Sequence, residues 1–313
     1  MPLPTPVARA VGVLLFGALA ACATPQTDAL LDDPQDLRAR AEIAAVPFFP
    51  QEKYYCGPAA LAMALAWSGL PVTQADIGPQ VYTPGREGTL PADIIAAARR
   101  NGRLAVPISR LSDLLAEVAA GHPVVVFQNL GLEWYTKWHF AVAVGYDLEA
   151  REIVLRSGLD ARRRTPLATF EHTWARADYW AVAVMPPGRL PVTADERTLV
   201  RAAAGLERAG RFAEAEIAYA AILDRWPASF GALMGLGNAR FSLGDPRGAE
   251  AVFRRLLAQD SQASAAWNNL AYALARQGRQ SEAIAAARNA VRLGGGHLDA
   301  YRATLREVSG SAS

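Results

Sequence analysis

Cysteine and lysine are both scarce in this chain of 313 residues. The two cysteines, Cys22 and Cys56, allow one disulfide at most and exclude a metal cluster of four thiolates. Only two of the 32 basic residues are lysines, Lys53 and Lys137, and the arginines are dispersed rather than gathered in a block. With a formal net charge of +2, the sequence lacks the clustered basic face that binds nucleic acid. Each cysteine therefore needs its own explanation.

The rest of the composition is that of a folded protein. Hydrophobic residues make up 51% of the chain and charged residues 20%, which excludes general disorder. At roughly 100–200 residues per domain, the length predicts two domains or three small ones. We predict neither a cofactor nor a metal ion.

The N-terminal segment has the pattern of a secretory signal. Arg9 is its only charged residue, an apolar run covers residues 10–19, and small residues follow. The run is too short to span a bilayer as a stable helix. It ends in Leu19-Ala20-Ala21-Cys22, which resembles a bacterial lipobox, where the cysteine thiol is acylated and the chain is cut just before it. Residues 1–21 are therefore predicted to be a lipoprotein signal peptide, with an ordinary secretory signal as the alternative.

The lipobox resemblance implies a protein held on a membrane by acyl chains on Cys22. Residue 23 is alanine rather than aspartate, which in such lipoproteins implies passage to the outer membrane. We therefore expect the protein in the cell envelope, on the periplasmic face of the outer membrane. Residues 22–42 are polar and turn-rich and are predicted to be a tether. With Cys22 acylated, Cys56 has no partner and no disulfide is expected.

Cys56 precedes a strong helix-forming segment that extends from Pro58 to Trp67. Proline is favoured at the start of a helix because its missing N–H costs nothing there. A cysteine at a helix N-terminus lies near the positive end of the macrodipole and near free N–H groups, which stabilise a thiolate. The sequence therefore predicts a depressed pKa for the Cys56 thiol, as a nucleophile requires.

A set of spaced motifs resembles the C39 peptidase family and its relatives of papain-like fold. The motifs are Gln51, Cys56-Gly57-Pro58-Ala59, Trp138-His139-Phe140 and Gly145-Tyr146-Asp147. The resemblance covers residues 43–190 and implies an α+β papain-like cysteine peptidase domain that acts on a peptide or protein substrate. It assigns the nucleophile to Cys56, the general base and acid to His139, and part of the oxyanion hole to Gln51.

The sequence departs from that family at the position that orients the histidine. C39 peptidases usually carry an aspartate after the next strand, but here the strand 152–156 is followed by Ser157-Gly158. A serine hydroxyl can accept an imidazole N–H but cannot stabilise imidazolium as a carboxylate does. Ser157 is therefore the candidate orienting residue, with Asp160 as the alternative if its loop curls back.

The segments between the motifs have readable periodicities. The glycine-bracketed loop 85–89 is of the kind that rims a cleft, and Trp134, Tyr135 and Trp138 could either line a substrate groove or pack over it. The patterns predict helices at 91–100, 109–120 and 167–176, and strands at 124–127, 140–144, 152–156 and 179–185.

The C-terminal part repeats with a period of 34 residues. Glycine recurs at 210, 244 and 278 and alanine at 215, 249 and 283, which is the tetratricopeptide signature. Residues 196–308 are predicted to form three repeats and a capping helix, an all-α solenoid. Such a module favours recognition of a peptide or protein partner on its surface. Helices that only brace the first domain are the alternative.

Together these patterns predict a membrane-anchored cysteine peptidase that hydrolyses an amide through a Cys56 thioester and docks a partner on its repeats. Two other functions remain open at this stage. The first is a non-catalytic scaffold lipoprotein for an envelope assembly, which the missing aspartate favours. The second keeps the thioester but passes the acyl group to an amine. No nucleic-acid partner is expected.

Overall fold

A computed structural model describes residues 23–34, 36–51 and 54–310. The predicted signal peptide and its acylation site, Cys22, lie outside the described residues. No helix within the described ranges is long and apolar enough to cross a bilayer.

The N-terminal domain is an α+β structure, as predicted. Its six helices are α1 (Pro25–Asp32), α2 (Cys56–Trp67), α3 (Gln74–Val81), α4 (Pro91–Arg100), α5 (Leu111–Ala119) and α6 (Leu167–Ala175). Its nine strands are β1 (Arg40–Glu42), β2 (Tyr82–Thr83), β3 (Gly88–Thr89), β4 (Leu104–Ile108), β5 (Val124–Asn129), β6 (Trp138–Asp147), β7 (Glu152–Ser157), β8 (Asp160–Pro166) and β9 (Ala181–Met185).

Seven of these strands form one sheet in which the neighbouring strands are antiparallel. The order is β4-β9-β5-β6-β7-β8, and β1 pairs with the far half of β6. Asn129 at the end of β5 lies opposite Trp138 at the start of β6. This edge of the sheet, where β5 and β7 end and β6 begins, is called the site end below. The strands β5, β6 and β9 are almost wholly buried, which explains their near-continuous apolar sequences.

Helix α2 runs through the centre of the domain. Nine of its residues are buried, and it packs against β6 on one side and α3 on the other. Its sequence of alanine, leucine and methionine is apolar on all sides, as a helix surrounded by protein requires. The helix begins at Cys56, two residues earlier than the sequence pattern predicts.

The segment predicted as a tether differs in the structure. Helix α1 packs on α5 and α6, and the backbone N–H of Thr27 donates to the buried carboxylate of Glu171 at 2.6 Å. Strand β1 adds to the sheet beside Gly145. This polar segment is therefore ordered by hydrogen bonds to distant parts of the chain. The local composition does not reveal those partners.

Strand β8 was also not predicted, because residues 160–166 lack the apolar alternation of a half-buried strand. The three arginines at 162–164 are exposed, and the strand lies at the edge of the sheet. Charged residues at an edge prevent pairing with other chains.

The C-terminal part consists of seven helices, three antiparallel pairs and one final helix, in agreement with the predicted repeats. They are α7 (Glu196–Arg208), α8 (Phe212–Arg225), α9 (Phe230–Ser242), α10 (Pro246–Gln259), α11 (Ser264–Ala275), α12 (Gln280–Leu293) and α13 (Leu298–Gly310). The glycines at 210, 244 and 278 have φ values of 72°, 82° and 72°, so each provides the left-handed residue that ends the first helix of a pair. At Gly235 a side chain would overlap the ring of Tyr219, so the absence of a side chain there lets α8 and α9 approach closely.

The first repeat packs directly on the N-terminal domain. Helix α7 contacts β4, the edge strand of the sheet, and Arg211 donates to the Arg100 carbonyl at 2.6 Å. Between the two parts, Thr193 donates through its backbone N–H and its hydroxyl to the buried Glu117, both at 2.7 Å. The repeats thus brace the first domain, in addition to whatever else they bind.

Candidate active site

Cys56 is placed by the first turn of α2. It lines a cleft of about 800 Å³ that opens at the site end of the sheet. Gln51 and His139, which the sequence assigns to the same site, line this cleft too. The other lining residues used below are Tyr54, Arg86, Glu87, Thr89, Leu90, Phe127, Trp138, Phe140 and Gly158.

Gly57 is required at its position by the wall of the cleft. A Cβ atom at residue 57 would lie 2.5 Å from the Cβ of Thr89, which is closer than real contacts allow. Thr89 belongs to the short β2–β3 hairpin, and the loop between its strands carries Arg86 and Glu87 into the cleft. The glycine after the cysteine therefore allows this hairpin to close against the N-terminus of α2. The loop 85–89, which the sequence predicts to border a cleft, forms part of this wall.

His139 is the second residue of β6, and its ring contacts the end of β7. The Nε2 atom of His139 lies 2.8 Å from the Oγ atom of Ser157, and Ser157 is only 3% exposed. Asp160 is exposed, and its carboxylate accepts the backbone N–H of Arg162 at 2.9 Å. Of the two residues that the sequence left open, Ser157 is the one that contacts the imidazole.

The electrostatics of the pair differ from the prediction. Burial raises the pKa of the Cys56 thiol, although the backbone N–H groups of Phe140, Gly57 and Cys56 itself act in the opposite direction. The expected net depression by the helix N-terminus is therefore wrong, because loss of solvation outweighs the N–H donors. Burial, assisted by the positive charge of Arg163, lowers the pKa of His139 to about 4. Both groups are accordingly neutral in the resting site at neutral pH.

Gln51 is held beside the cysteine by backbone contacts. Its N–H donates to the Gly158 carbonyl at 3.1 Å, and its side-chain Nε2 lies 3.4 Å from the Phe140 carbonyl oxygen. The second contact is long and weak. The amide therefore lies in the cleft with its Nε2 atom beside β6, and this contact leaves its second N–H available.

Several cleft residues were missed by sequence reasoning. The Phe140 backbone N–H is directed at the Cys56 sulfur, and the Phe140 ring packs on Phe127 at 4.4 Å between centroids. Of the three aromatic residues that the sequence left open, Trp138 stacks on Phe127 at 5.1 Å and lines the cleft, whereas Trp134 and Tyr135 are not among the residues that line it. A backbone donor has no side-chain signature, so no sequence pattern could have identified it. The aromatic alternation at 138 and 140 was the available signal for the wall.

A second buried polar cluster lies away from this cleft. His122, which its turn-like sequence suggests is exposed, is 3% exposed, and its Nδ1 lies 2.6 Å from the Glu117 carboxylate. Arg189 donates to its Nε2 at 3.0 Å. This cluster fastens the chain that leads to the repeats. The described residues contain no group of histidine, cysteine and carboxylate side chains arranged to hold a metal ion.

Comparison with protein-family models gives a match for each part of the chain. Residues 43–182 match the Peptidase_C39 like family, and residues 200–246 and 234–297 match the tetratricopeptide repeat. No curated protein matches the chain.

Solved structures are similar to one part or the other. A structure described as a C39-like peptidase from Bacillus anthracis has 20% sequence identity and a TM-score of 0.42, covering 47% of this chain and 98% of its own. The Yersinia enterocolitica type III secretion chaperone SycD, in complex with a peptide of the translocator YopD, has 16% identity and a TM-score of 0.35. That match covers 37% of this chain and 94% of its own.

The Sgt2 tetratricopeptide domain from Aspergillus fumigatus has 20% identity and a TM-score of 0.37, and the match covers 38% of this chain and 80% of its own. The family models match the two parts whose folds are described above, an α+β domain with a cysteine at a helix N-terminus and a stack of paired helices. Residues 43–182 are therefore similar to the Peptidase_C39 like family, and the helices that follow are similar to tetratricopeptide repeats.

Proposed function

We propose that this protein is a cysteine peptidase, a hydrolase that cleaves a peptide bond through a thioester on Cys56. The observation that carries the proposal is the cleft itself, in which Cys56 at the N-terminus of α2 and His139 line the same space. The His139 ring is held by Ser157 at 2.8 Å. This contact through Nε2 leaves the Nδ1 atom for the thiol.

The proposed reaction starts from a neutral thiol and a neutral imidazole. The Cys56 sulfur attacks the carbonyl carbon of the peptide while its proton passes to His139 Nδ1. The Cys56 backbone N–H and the second N–H of the Gln51 side-chain amide donate to the oxyanion. When the C–N bond breaks, His139 returns the proton to the leaving amine and a thioester remains. Water then attacks the thioester, gives a proton to His139 and releases the acid and the free thiol.

Membrane attachment and partner binding are the finer parts of the proposal. Acylation at Cys22 would hold the protein in the cell envelope, at the periplasmic face of the outer membrane. The repeats would bind a protein or peptide partner on the surface that the first domain leaves free. Helix α7 packs on β4, so the first end of the repeat stack is in contact with the first domain.

The test uses the chain that starts at residue 23, in which Cys56 is the only cysteine. Peptides prepared from envelope proteins are incubated with this protein and with its Cys56→Ala and His139→Ala variants, and the products are identified by mass spectrometry. We expect cleavage by the unmodified protein and none by either variant. Cleavage that survives Cys56→Ala would remove the mechanism. Products that carry an added amine instead of water would identify acyl transfer.

A catalytically degenerate scaffold is the second candidate function. It is favoured by one specific observation, a serine in place of a carboxylate beside a histidine whose pKa is lowered to about 4. A scaffold would bind the same peptides without cleaving them. Isothermal calorimetry with a peptide that resists cleavage, together with mass spectrometry of the mixture, separates binding without turnover from catalysis.

A further inference from the structure

Exposed apolar side chains are concentrated at the site end of the sheet. We define the apolar rim as Leu132, Trp134, Tyr135, Trp138 and Leu159. Their exposed fractions are 50%, 82%, 59%, 51% and 81%. Four of them belong to the β5–β6 connection or the first residue of β6, and Leu159 lies in the turn between β7 and β8. A cluster of this kind beside a functional cleft marks an interaction surface.

The connection between β5 and β6 is a fixed structure. The buried side chain of Asn129 accepts the backbone N–H groups of Gly131 at 3.0 Å and Lys137 at 2.8 Å, and it donates to the Leu132 carbonyl at 3.2 Å. A side chain at residue 131 would overlap the Tyr135 carbonyl oxygen. The loop therefore presents Trp134 and Tyr135 outward in a preformed conformation, so little ordering entropy is lost when they bind.

The side chains of this loop are of the kinds that favour a membrane interface. Tryptophan and tyrosine combine an apolar ring with a polar group, and they are enriched at the level of lipid headgroups. Lys137 Nζ lies 5.7 Å from the centre of the Tyr135 ring, so the lysine stem can follow the apolar surface while its charge reaches the headgroups. Arg163 on the adjacent β8 adds a second exposed cation, with Glu133 and Asp160 as the nearby acids.

The described chain begins at the same end of the sheet. The Gln26 side chain donates to the Ser109 carbonyl at 3.3 Å, directly after β4 ends at Ile108. Ile108 pairs with Ala181, and Ala181 pairs with Val126 close to the end of β5. Residues 23–26 are therefore at the site end, and an acyl anchor on the preceding residue would bring a bilayer close to that end.

Helix α6 connects the two features. The Gln26 backbone N–H donates to Glu171 of α6 at 2.9 Å. Leu132 and Trp134 line a shallow depression together with His172, Ala175 and Arg176, which lie at the C-terminal end of α6. A helix of nine residues is only about 13 Å long. The start of the described chain and the exposed loop are accordingly neighbours on one face.

We propose that the apolar rim docks on a lipid bilayer and turns the catalytic cleft toward the membrane surface. Trp134, Tyr135 and Leu159 enter the headgroup region, and Trp138 connects the rim to the cleft that it also lines. The cleft then receives peptide segments that emerge at the membrane surface. The binding step does not depend on catalysis by Cys56 or on acylation of Cys22, so its failure and the failure of the proposed peptidase can be told apart.

The test measures co-sedimentation with vesicles of phosphatidylethanolamine and phosphatidylglycerol. It uses the unacylated chain from residue 23, which retains all described contacts of both domains. The variants are Trp134→Ser and the double variant W134S/Y135S. Phe230→Ser is the matched control, because Phe230 is an exposed aromatic residue, 46% exposed, on the repeats. Circular dichroism establishes that each variant is folded.

We expect the unmodified protein and Phe230→Ser to bind the vesicles equally, and Trp134→Ser to bind about tenfold more weakly, since one large aromatic ring no longer enters the interface. Cys56→Ala should bind as the unmodified protein does. Absence of vesicle binding, or equal binding by Trp134→Ser, would overturn the proposal. If Trp134→Ser bound vesicles as the unmodified protein does but cleaved apolar peptides more weakly, the proposal would also be overturned, since the apolar rim would then bind the peptide substrate.

Discussion

At the scale of single residues, the protonation state of the site depends on the residue beside His139. A carboxylate at that position would stabilise imidazolium and so favour the ionised thiolate–imidazolium pair. Ser157 holds the ring by a hydrogen bond but contributes no charge, and burial of the ring, assisted by Arg163 on β8, lowers the pKa of His139. The resting pair is therefore neutral, and the nucleophile forms only as the proton moves during attack.

Substitution of Ser157 tests this arrangement. Ser157→Asp should raise the pKa of His139, because the carboxylate stabilises imidazolium. Cys56 should then react faster with iodoacetamide at neutral pH, by about tenfold for each pKa unit by which the thiolate–imidazolium pair is stabilised. Ser157→Ala removes the hydrogen bond that orients the ring and should slow peptide cleavage without that gain in thiol reactivity. Equal labelling rates in all three proteins would contradict the assigned role of Ser157. The rates are measured in the chain from residue 23, where Cys56 is the only thiol.

The pH dependence of cleavage follows from the pKa of His139. A general base must be unprotonated, so a pKa of about 4 keeps the imidazole active down to about pH 4, well below the ordinary histidine range. Arg163→Gln removes a positive charge that disfavours imidazolium, so the acidic limb of kcat/KM should move to higher pH. Arg164→Gln is the matched control, because Arg164 pairs with Glu152 at 2.8 Å. An acidic limb that stays in place in Arg163→Gln would contradict the assigned effect of Arg163.

At the scale of elements, the cleft depends on how closely the β2–β3 hairpin approaches α2. The contact occurs between Gly57 and Thr89, where the backbone of one element meets the side chain of the other. The helix supplies the cysteine, and the hairpin and its loop supply one wall. A change of a single methyl group at this contact therefore affects both the stability of the domain and the shape of the cleft.

Gly57→Ala should lower the free energy of unfolding by about 1–3 kcal/mol, because the new methyl group overlaps Thr89 in a packed contact. It should also reduce cleavage, since relief of the overlap displaces the hairpin. Adding Thr89→Gly removes the overlapping atoms, so the double variant should recover part of both losses. Gly85→Ala, at an open position of the same loop, is the control. Denaturant unfolding and cleavage rates measure the effects, and strict additivity of the two changes would contradict the contact.

At the scale of the whole molecule, the two parts are joined into one structure by the first repeat. Helix α7 covers part of β4, and Glu117 holds the connecting chain through Thr193. Burial raises the pKa of Glu117, but the hydrogen bonds from His122 and Thr193 outweigh it and hold the pKa of this carboxyl below its ordinary value. A buried carboxylate that accepts this many hydrogen bonds holds the connecting chain firmly, provided that all of the donors are present.

Removal of the repeats should therefore harm the first domain. The chain 23–190 loses α7 and leaves the edge strand β4 open, so we expect a lower thermal midpoint and concentration-dependent association. The chain 23–260 keeps the first two repeats and the junction, and it should retain the thermal midpoint of the N-terminal domain more closely. Light scattering and thermal unfolding measure both effects. A monomeric 23–190 with an unchanged midpoint would show that the repeats do not brace this domain.

The extent to which the sequence anticipated the structure differs between these scales. Helices α2 and α4, the buried strands and the repeats were predictable, because their periodicity is a local property of the chain. Helix α1 was not, because its polar residues are ordered by the distant Glu171. Strand β8 and the β2–β3 hairpin pair locally, but β8 lacks an apolar alternation and the hairpin strands, of two residues each, are too short to show one. At the site, Cys56, His139 and Gln51 were predictable as candidates from their motifs. The Phe140 N–H and the effect of Arg163 were not.

Residue types at fixed intervals were enough to predict the two-part organisation, the resemblance of the first part to a known family and the spacing of the repeats. The tertiary structure makes Ser157 rather than Asp160 the contact of His139, because Ser157 is buried against the ring whereas the Asp160 carboxylate is exposed and accepts the Arg162 backbone N–H. It also decided that Cys56 and His139 are neutral, because solvation is lost only when the chain has packed around them.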